Sequence, residues 1–411
     1  MTHPRPEYAP ISLLQVSDDR LLVGGRSLDD LAALAGQTPY YAYDRDAMRR
    51  RAEALRIALP PAMRVHYAMK ANPMPAVVSH MIDLVDGIDV ASAGEMRLAL
   101  DAGASAATMS FAGPGKRDVE LAAAVEAGVT INIESMGELA RVAHAGDRVG
   151  ERPRVAVRVN PDFLLKASRL KMGGGPKQFG IDAEIVPEAL ESIADLDLHF
   201  RGFHIFSGTQ NLLPDSLIEA QAATFDLADR LAQSAPSPIE TLNIGGGFGI
   251  PYFPGDTALD LAPVAEHLAE QLAVHREALG NPEVIVELGR YLVGEAGVYV
   301  CSVIDRKVSR GQTFLVTDGG LHHHLAASGN FGQVIRRNFP VVVADRVYGG
   351  VRETATVVGP LCTPLDVLAD QTELGVAHPG DLIAVLQSGA YGYSASPHAF
   401  LSHPPPVELL V

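Results

Sequence analysis

The sequence has few cysteines, few basic residues and no long apolar run, and each shortage excludes a class of protein. Cys301 and Cys362 are the only cysteines in 411 residues, which argues against a disulfide framework. Lys and Arg number 33 against 49 Asp and Glu, which argues against nucleic-acid and anionic-membrane partners. No apolar run is long enough for a bilayer, and the N-terminus lacks the apolar core of a signal peptide. We therefore expect a cytoplasmic protein.

The stretch from about residue 64 to 290 alternates short β-branched runs with helical ones. Eight runs are strand candidates: RVHYAMK, GIDVAS, TMSFAG, TINIES, RVAVRVN, FRGFHIF, TLNIGGG and VIVELGR. The segments between them, such as AGEMRLALDAG, have the apolar spacing of helices. Eight parallel strands with intervening helices predict an eight-stranded β/α barrel of the TIM type. A doubly wound open sheet is the alternative that strand counting leaves open.

The remainder of the chain is rich in strand patterns. Short β-branched runs separated by Gly and Pro turns follow residue 290, and the first thirty-odd residues are also strand-like. We therefore predict an α/β protein in two domains. The barrel takes residues 36–290, and residues 1–35 and 291–411 form a β-rich, barrel-like domain.

Polar residues and a run of three glycines cluster at the carboxyl ends of the predicted barrel strands, where the active sites of such barrels lie. They are Lys70, Ser92, Glu134, Arg158, Asn160, His204, Ser207, Gly245, Gly246, Gly247, Glu287 and Arg290. A glycine run can bring backbone N–H groups close to a phosphate. Taken alone, the glycine run is also consistent with a tight turn that binds nothing. A lone lysine at a strand end more often has a structural role than a catalytic one. Together with a carboxylate, the lysine and the glycines suggest a Schiff base to pyridoxal phosphate.

Six motifs, in order, resemble those of the pyridoxal-phosphate-dependent decarboxylases with an alanine-racemase-like fold. This family includes the diaminopimelate, ornithine and arginine decarboxylases. The motifs are YAMKAN, GFHIFSGTQ, NIGGGFG, ELGRYLV, GPLC and SGAYGYSAS. The resemblance covers nearly the whole chain. It implies the cofactor pyridoxal 5′-phosphate, decarboxylation of a small-molecule amino acid, and a homodimer whose active site is shared between subunits.

The resemblance also implies a role for each residue that matches a motif. Lys70 would form the Schiff base, and His204 would stack on the cofactor ring. The implied phosphate contacts are Ser207, Gly245, Gly246, Gly247, Arg290 and Tyr391, with Arg290 also a candidate for the substrate carboxylate. Glu287 would meet the ring nitrogen, which favours decarboxylation, because related racemases have an arginine there. Cys362 would donate a proton in the partner's active site.

One position departs from the best-known members of the family. Diaminopimelate decarboxylases have a glutamate after the motif cysteine and ornithine decarboxylases an aspartate, whereas this chain has Thr363. A hydroxyl cannot neutralise an ammonium group, so we expect a substrate other than a free diamino acid. Asp366 is the candidate to compensate, and Arg336 or Arg337 is the candidate to bind an anionic substrate end.

A basic segment suggests a second departure. Residues 166–177 contain Lys166, Arg169, Lys171 and Lys177 and no acid. They form either a solvated loop or a docking site for an acidic partner, such as an acyl-carrier protein that presents the amino acid. The chain also resembles a decarboxylase subgroup found with acyl-carrier and exosortase-associated exopolysaccharide pathways. An amino-acid racemase or epimerase and a non-catalytic cofactor-binding homologue are the alternative functions.

The motif LHHHL at residues 321–325 invites a metal-site interpretation. Adjacent histidines on a strand point to opposite faces and cannot all bind one ion. We therefore predict no metal site.

Overall fold

Eight parallel strands form a closed barrel in the computed structural model, which describes residues 7–163, 170–171 and 175–411. Each barrel strand pairs with the next along the chain, and the eighth returns to the first through the register Val284 to Met63. The strands are Met63–Ala68, Gly87–Val90, Met109–Phe111, Thr130–Ile133, Arg154–Asn160, His199–Ile205, Thr241–Gly246 and Glu283–Leu288. Closure confirms the predicted barrel and excludes the open sheet.

A helix follows each barrel strand and packs outside it, which explains why the strands are apolar on both faces. These helices are Pro75–Ile82, Ala93–Asp101, Asp118–Ala127, Met136–Val149, Val186–Asp195, Pro214–Ala232, Ala262–His275 and Arg290–Val293. Ser92 and Ser135 begin two of them as N-caps, each accepting a hydrogen bond from a backbone N–H three residues later. The hydroxyl of Ser92 therefore has a structural role.

A second sheet of mixed strand direction confirms the predicted β-rich unit. Its strands are Tyr40–Tyr43, Gly297–Ser309, Gln312–Thr317, Val341–Val343, Arg352–Val358, Val367–Gly375, Leu382–Val385 and Val407–Leu410. The long strand Gly297–Ser309 lies at its centre and pairs with Tyr40–Tyr43, which precedes the barrel in the chain. Helix Arg45–Ala58 connects that strand to the barrel.

The N-terminal residues attach to the second sheet. Strands Gln15–Ser17, Arg20–Val23 and Arg26–Ser27 form a small antiparallel sheet, followed by helix Leu28–Ala35. The backbone N–H of Leu21 donates to the carbonyl of Ala344 at 2.8 Å. This hydrogen bond joins the small N-terminal sheet to the β-rich unit. The division of the chain at residues 35 and 290 stays a prediction.

The three adjacent histidines lie in turns after strand Gln312–Thr317, not on a strand. The geometric reason for expecting no metal there was therefore wrong. His323 Nε2 lies 2.9 Å from the carbonyl oxygen of Pro404, and His324 Nε2 lies 2.9 Å from Ser388 Oγ. Burial lowers the pKa of His324 to about 3, so this imidazole is a neutral part of the core.

No helix in the described part of the chain has both the length and the apolar character needed to cross a membrane.

Candidate active site

Lys70 and Glu287 meet at the mouth of the barrel. The first barrel strand ends at Ala68, and a short 3-10 turn, Met69–Ala71, carries Lys70. Glu287 is on the eighth strand, which is hydrogen-bonded to the first. Lys70 Nζ consequently lies 3.5 Å from Glu287 Oε1. About half of the lysine side chain (48%) is exposed, whereas the carboxylate is buried, so a ligand can reach the amine from outside.

The electrostatics of this pair favour a charged carboxylate. His204 Nε2, from the sixth strand, lies 3.2 Å from Glu287 Oε2. Burial alone would raise the pKa of Glu287, but Lys70, His204 and Arg158 outweigh it and hold the pKa well below its usual value. Burial would likewise lower the pKa of Lys70, but Glu287 raises it and the net direction is upward. The site therefore contains a buried anion beside an accessible cation.

The glycine run leaves the seventh strand as a backbone cradle. Gly245 and Gly247 have φ angles of +67° and +76°, which favour glycine. A Cβ on Gly246 would lie 2.2 Å from the backbone oxygen of Glu287. Ser207, at the end of the sixth strand, lines a cavity together with Gly245 and Gly246. The N–H of Gly245 donates to Asn243 Oδ1 at 2.8 Å, so the other backbone N–H groups of this loop are the candidates to meet an anion.

Arg290 provides a half-buried cation near the same loop. Its Nη1 donates to the hydroxyl of Tyr252 at 2.9 Å, and its guanidinium lies 4.8 Å from the ring centroid of Tyr391. Its Nε is buried and has no hydrogen-bond partner among the residues that the structure describes. The backbone N–H of Tyr391 donates to the carbonyl of Ala71 at 2.7 Å, so the second sheet contributes directly to the mouth that contains Lys70.

Cys362 and Thr363 lie in a loop of the second sheet. Cys362 is exposed, and none of the contacts that the described residues make joins it to Lys70 in the same chain. The carboxylate of Asp366 is buried and accepts the backbone N–H groups of Leu321 at 2.6 Å and Leu361 at 2.8 Å. Asp366 therefore holds this loop in shape, which corrects the idea that it replaces the missing acid at position 363.

The two candidate arginines already have partners. Arg336 Nη2 donates to the carbonyl of Val367 at 2.7 Å. The guanidinium of Arg337 lies 3.8 Å from the ring centroid of Phe253. Their proposed contact with substrate stays a prediction.

Most of the basic segment lies outside the described residues. Lys166, Arg169 and the side chain of Lys171 are all outside the part of the chain that the structure describes. Lys177 is described and is exposed.

Sequence reasoning missed two charged residues inside the barrel. His66 Nδ1 lies 3.2 Å from Asp89 Oδ1, and both side chains are buried. Each is inside a strand rather than at its end, so a search of strand ends does not find it. A titratable residue within an otherwise apolar strand was the available signal. The buried ion pair of Arg158 with Glu134, at 2.8 Å, joins two residues that the sequence had placed at strand ends.

Comparison with known proteins places the chain among cofactor-dependent enzymes. Residues 45–294 match the family described as pyridoxal-dependent decarboxylase, pyridoxal binding domain. An L-glutamyl-(BtrI acyl-carrier protein) decarboxylase of Niallia circulans is 40% identical over 91% of this chain and 89% of the relative. A diaminopimelate decarboxylase of Aquifex aeolicus is 33% identical over 98% and 93%. A crystal structure of diaminopimelate decarboxylase from M. jannaschi has a TM-score of 0.87 at 24% identity, over 97% and 92%, which shows the shared fold.

The residues at the barrel mouth fit pyridoxal phosphate, the cofactor of this family. An aldehyde requires an amine, which Lys70 would supply. The ring nitrogen requires an anion, which Glu287 would supply. The phosphate requires N–H donors, for which the glycine cradle and the Nε of Arg290, buried without a partner among the described residues, are the candidates.

Two glycine substitutions, one in the cradle and one in a helix, test whether the cradle contacts the cofactor. Gly246→Ala should weaken cofactor binding by about tenfold or more, because the new methyl group meets backbone that cannot rotate away. Gly137→Ala is the control, since a Cβ on Gly137, in an exposed part of a helix, would have no described residue within 4 Å. Titration of pyridoxal phosphate into each apoenzyme, followed by absorbance, measures the affinity. Equal affinities would show that the cradle does not contact the cofactor.

Proposed function

The chain belongs to the pyridoxal-dependent decarboxylases, and we propose that its substrate is an amino acid whose distal end carries no free ammonium group. The preferred substrate class is an aminoacyl group held on an acyl-carrier protein. The single observation that carries this proposal is the loop at Thr363. Its hydroxyl is neutral, and the carboxylate three residues later, Asp366, is buried and engaged with backbone N–H groups.

One of the relatives supports this substrate class. The Niallia circulans protein, by its name, acts on a glutamyl group carried by an acyl-carrier protein. In such a substrate a thioester replaces one carboxylate and no second amine is present. A neutral residue at position 363 suits that substrate better than it suits diaminopimelate, because an unpaired ammonium in a partly buried site is costly.

Each residue at the barrel mouth would have a separate role in the reaction. When bound, the cofactor accepts the electron pair that CO2 leaves on the α-carbon. Lys70 would hold the cofactor and, once the substrate amine takes its place, would be free to hold a proton at Nζ. Glu287, which the site keeps anionic, would hold a proton at the ring nitrogen. His204 would position the ring, while Ser207, the glycine cradle, Arg290 and Tyr391 would hold the phosphate.

The proton that replaces CO2 needs a donor. We assign this role to the partner's Cys362, whose thiol is exposed in one subunit and whose loop is fixed by the buried Asp366. In this account the active site is complete only in a homodimer. The anionic Glu287 supports decarboxylation over racemisation, because a protonated ring is the stronger electron sink.

The substrate class can be tested by CO2 release from purified enzyme. We expect a glutamyl thioester on an acyl-carrier protein to react with a kcat/KM about a hundredfold or more above free glutamate or meso-diaminopimelate. Thr363→Glu should raise turnover of meso-diaminopimelate about tenfold, since a hydrogen bond to a charged group contributes roughly 1.5–3 kcal/mol. Thr363→Gln, which adds length without charge, is the control. Efficient turnover of meso-diaminopimelate by the unaltered enzyme would contradict the proposal.

The shared active site can be tested by mixing two impaired variants. Lys70→Ala and Cys362→Ala should each lose most activity. Unfolded together and refolded at equal amounts, they should recover about one quarter of normal activity, because half of random dimers are mixed and each keeps one intact site. No recovery in a preparation that forms dimers would place both residues in the same subunit's site.

A further inference from the structure

Tyr252 is a buried tyrosine that contacts Arg290 and has no role in the chemistry described above. It lies in the loop after the seventh barrel strand, beyond Gly247, and is 3% exposed. Its hydroxyl accepts a hydrogen bond from Arg290 Nη1 at 2.9 Å, and its ring centroid lies 5.3 Å from the guanidinium carbon. The ring centroid of Tyr391 lies 4.8 Å from the same carbon. Two tyrosines, one from the barrel and one from the second sheet, therefore hold this cation.

The loop that carries Tyr252 is itself held in place. Gln210, which follows the sixth strand, donates from Nε2 to the carbonyl of Ile250 at 2.5 Å and accepts the N–H of Ile250 at 3.3 Å. Asp256 Oδ2 accepts the backbone N–H of Tyr252 at 3.2 Å. The ring of Tyr252 packs against that of Phe339 in the β-rich unit, with centroids 4.5 Å apart. The hydroxyl that meets Arg290 is therefore fixed by contacts on the backbone and on the ring.

This contact orients the guanidinium without neutralising it. Burial raises the pKa of Tyr252, so its hydroxyl is neutral at physiological pH. Among the described residues, no carboxylate pairs with Arg290. An acid in place of the tyrosine would offset the positive charge, whereas a neutral hydroxyl leaves that charge for an anionic ligand.

The hydrogen bond also determines which edge of the guanidinium is left for a ligand. The N–H groups of a guanidinium form a rigid planar fork, in which Nε and Nη2 share one edge. Tyr252 engages Nη1, and the buried Nε has no hydrogen-bond partner among the described residues. Two parallel N–H groups on one edge match two oxygens of a phosphate.

We propose that Tyr252 is a positioning residue that holds Arg290 with its Nε–Nη2 edge presented to the phosphate of the cofactor. The inference rests on the proposed contact between Arg290 and that phosphate. Without the hydroxyl, the guanidinium is free to turn about its last side-chain bonds and loses the fixed edge. The effect should fall on the phosphate alone, because the hydroxyl bonds to Arg290 and not to Lys70 or Glu287, which would meet the aldehyde and the ring.

The test compares pyridoxal phosphate with pyridoxal, which lacks the phosphate. Each is titrated into apoenzyme and followed by absorbance. Tyr252→Phe keeps the ring and removes only the hydroxyl. It should weaken binding of pyridoxal phosphate by about fivefold to tenfold, because a hydrogen bond to a charged group is lost, and change that of pyridoxal by less than about twofold. Tyr291→Phe is the control, since it removes a hydroxyl from a buried neighbour of Arg290 whose ring packs on Phe248, and it should change neither affinity.

Arg290→Gln, alone and combined with Tyr252→Phe, shows whether the hydroxyl acts through Arg290. Arg290→Gln should weaken binding of pyridoxal phosphate more than Tyr252→Phe does, and the second substitution should then add little. Equal weakening of both ligands by Tyr252→Phe, no weakening of either, or fully additive effects would overturn the inference. An unchanged affinity in Arg290→Gln would overturn it too, and would also remove the proposed contact of Arg290 with the phosphate. Neither ligand requires turnover, so the substrate class does not affect these results.

Discussion

The arrangement at the barrel mouth depends on keeping Glu287 charged while it is buried. A buried carboxylate ordinarily takes up a proton, because desolvation penalises the anion. Here Lys70 at 3.5 Å and His204 at 3.2 Å offset that penalty. Closure of the barrel makes this possible, since it brings the last strand beside the first and joins residues more than two hundred positions apart. The proton that we propose at the cofactor ring nitrogen would depend on this anion.

The second sheet completes the mouth that the barrel begins. Asn72 Nδ2 donates to the carbonyl of Gly389 at 3.1 Å, and the N–H of Tyr391 donates to Ala71. These two hydrogen bonds fix the turn that carries Lys70 against the segment that carries Tyr391. The ring of Tyr391 then lies beside the guanidinium of Arg290. The β-rich unit therefore acts on the site directly, and its loop at Thr363 is where we place the choice of substrate.

Features that local sequence patterns determine could be predicted from the sequence. Features that depend on packing between distant segments could not. All eight barrel strands were predicted, because each is an apolar β-branched run between helical segments. The lysine, the glycines and Glu287 were found because the ends of parallel strands meet at one edge. The pairing of His66 with Asp89 depends on register and on the space left by Gly87, which no local pattern reveals. The turns at His322–His324 and the buried position of Asp366 likewise follow from contacts between distant segments.

The central claim is that Lys70 carries the cofactor beside Glu287. Borohydride reduction of the holoenzyme, followed by proteolysis and mass spectrometry, tests this most directly. Our account predicts that the peptide containing Lys70 gains the mass of the reduced cofactor, and that Lys70→Ala protein gains none. Cofactor mass on another lysine of the unaltered enzyme, or retained attachment in Lys70→Ala, would contradict the account.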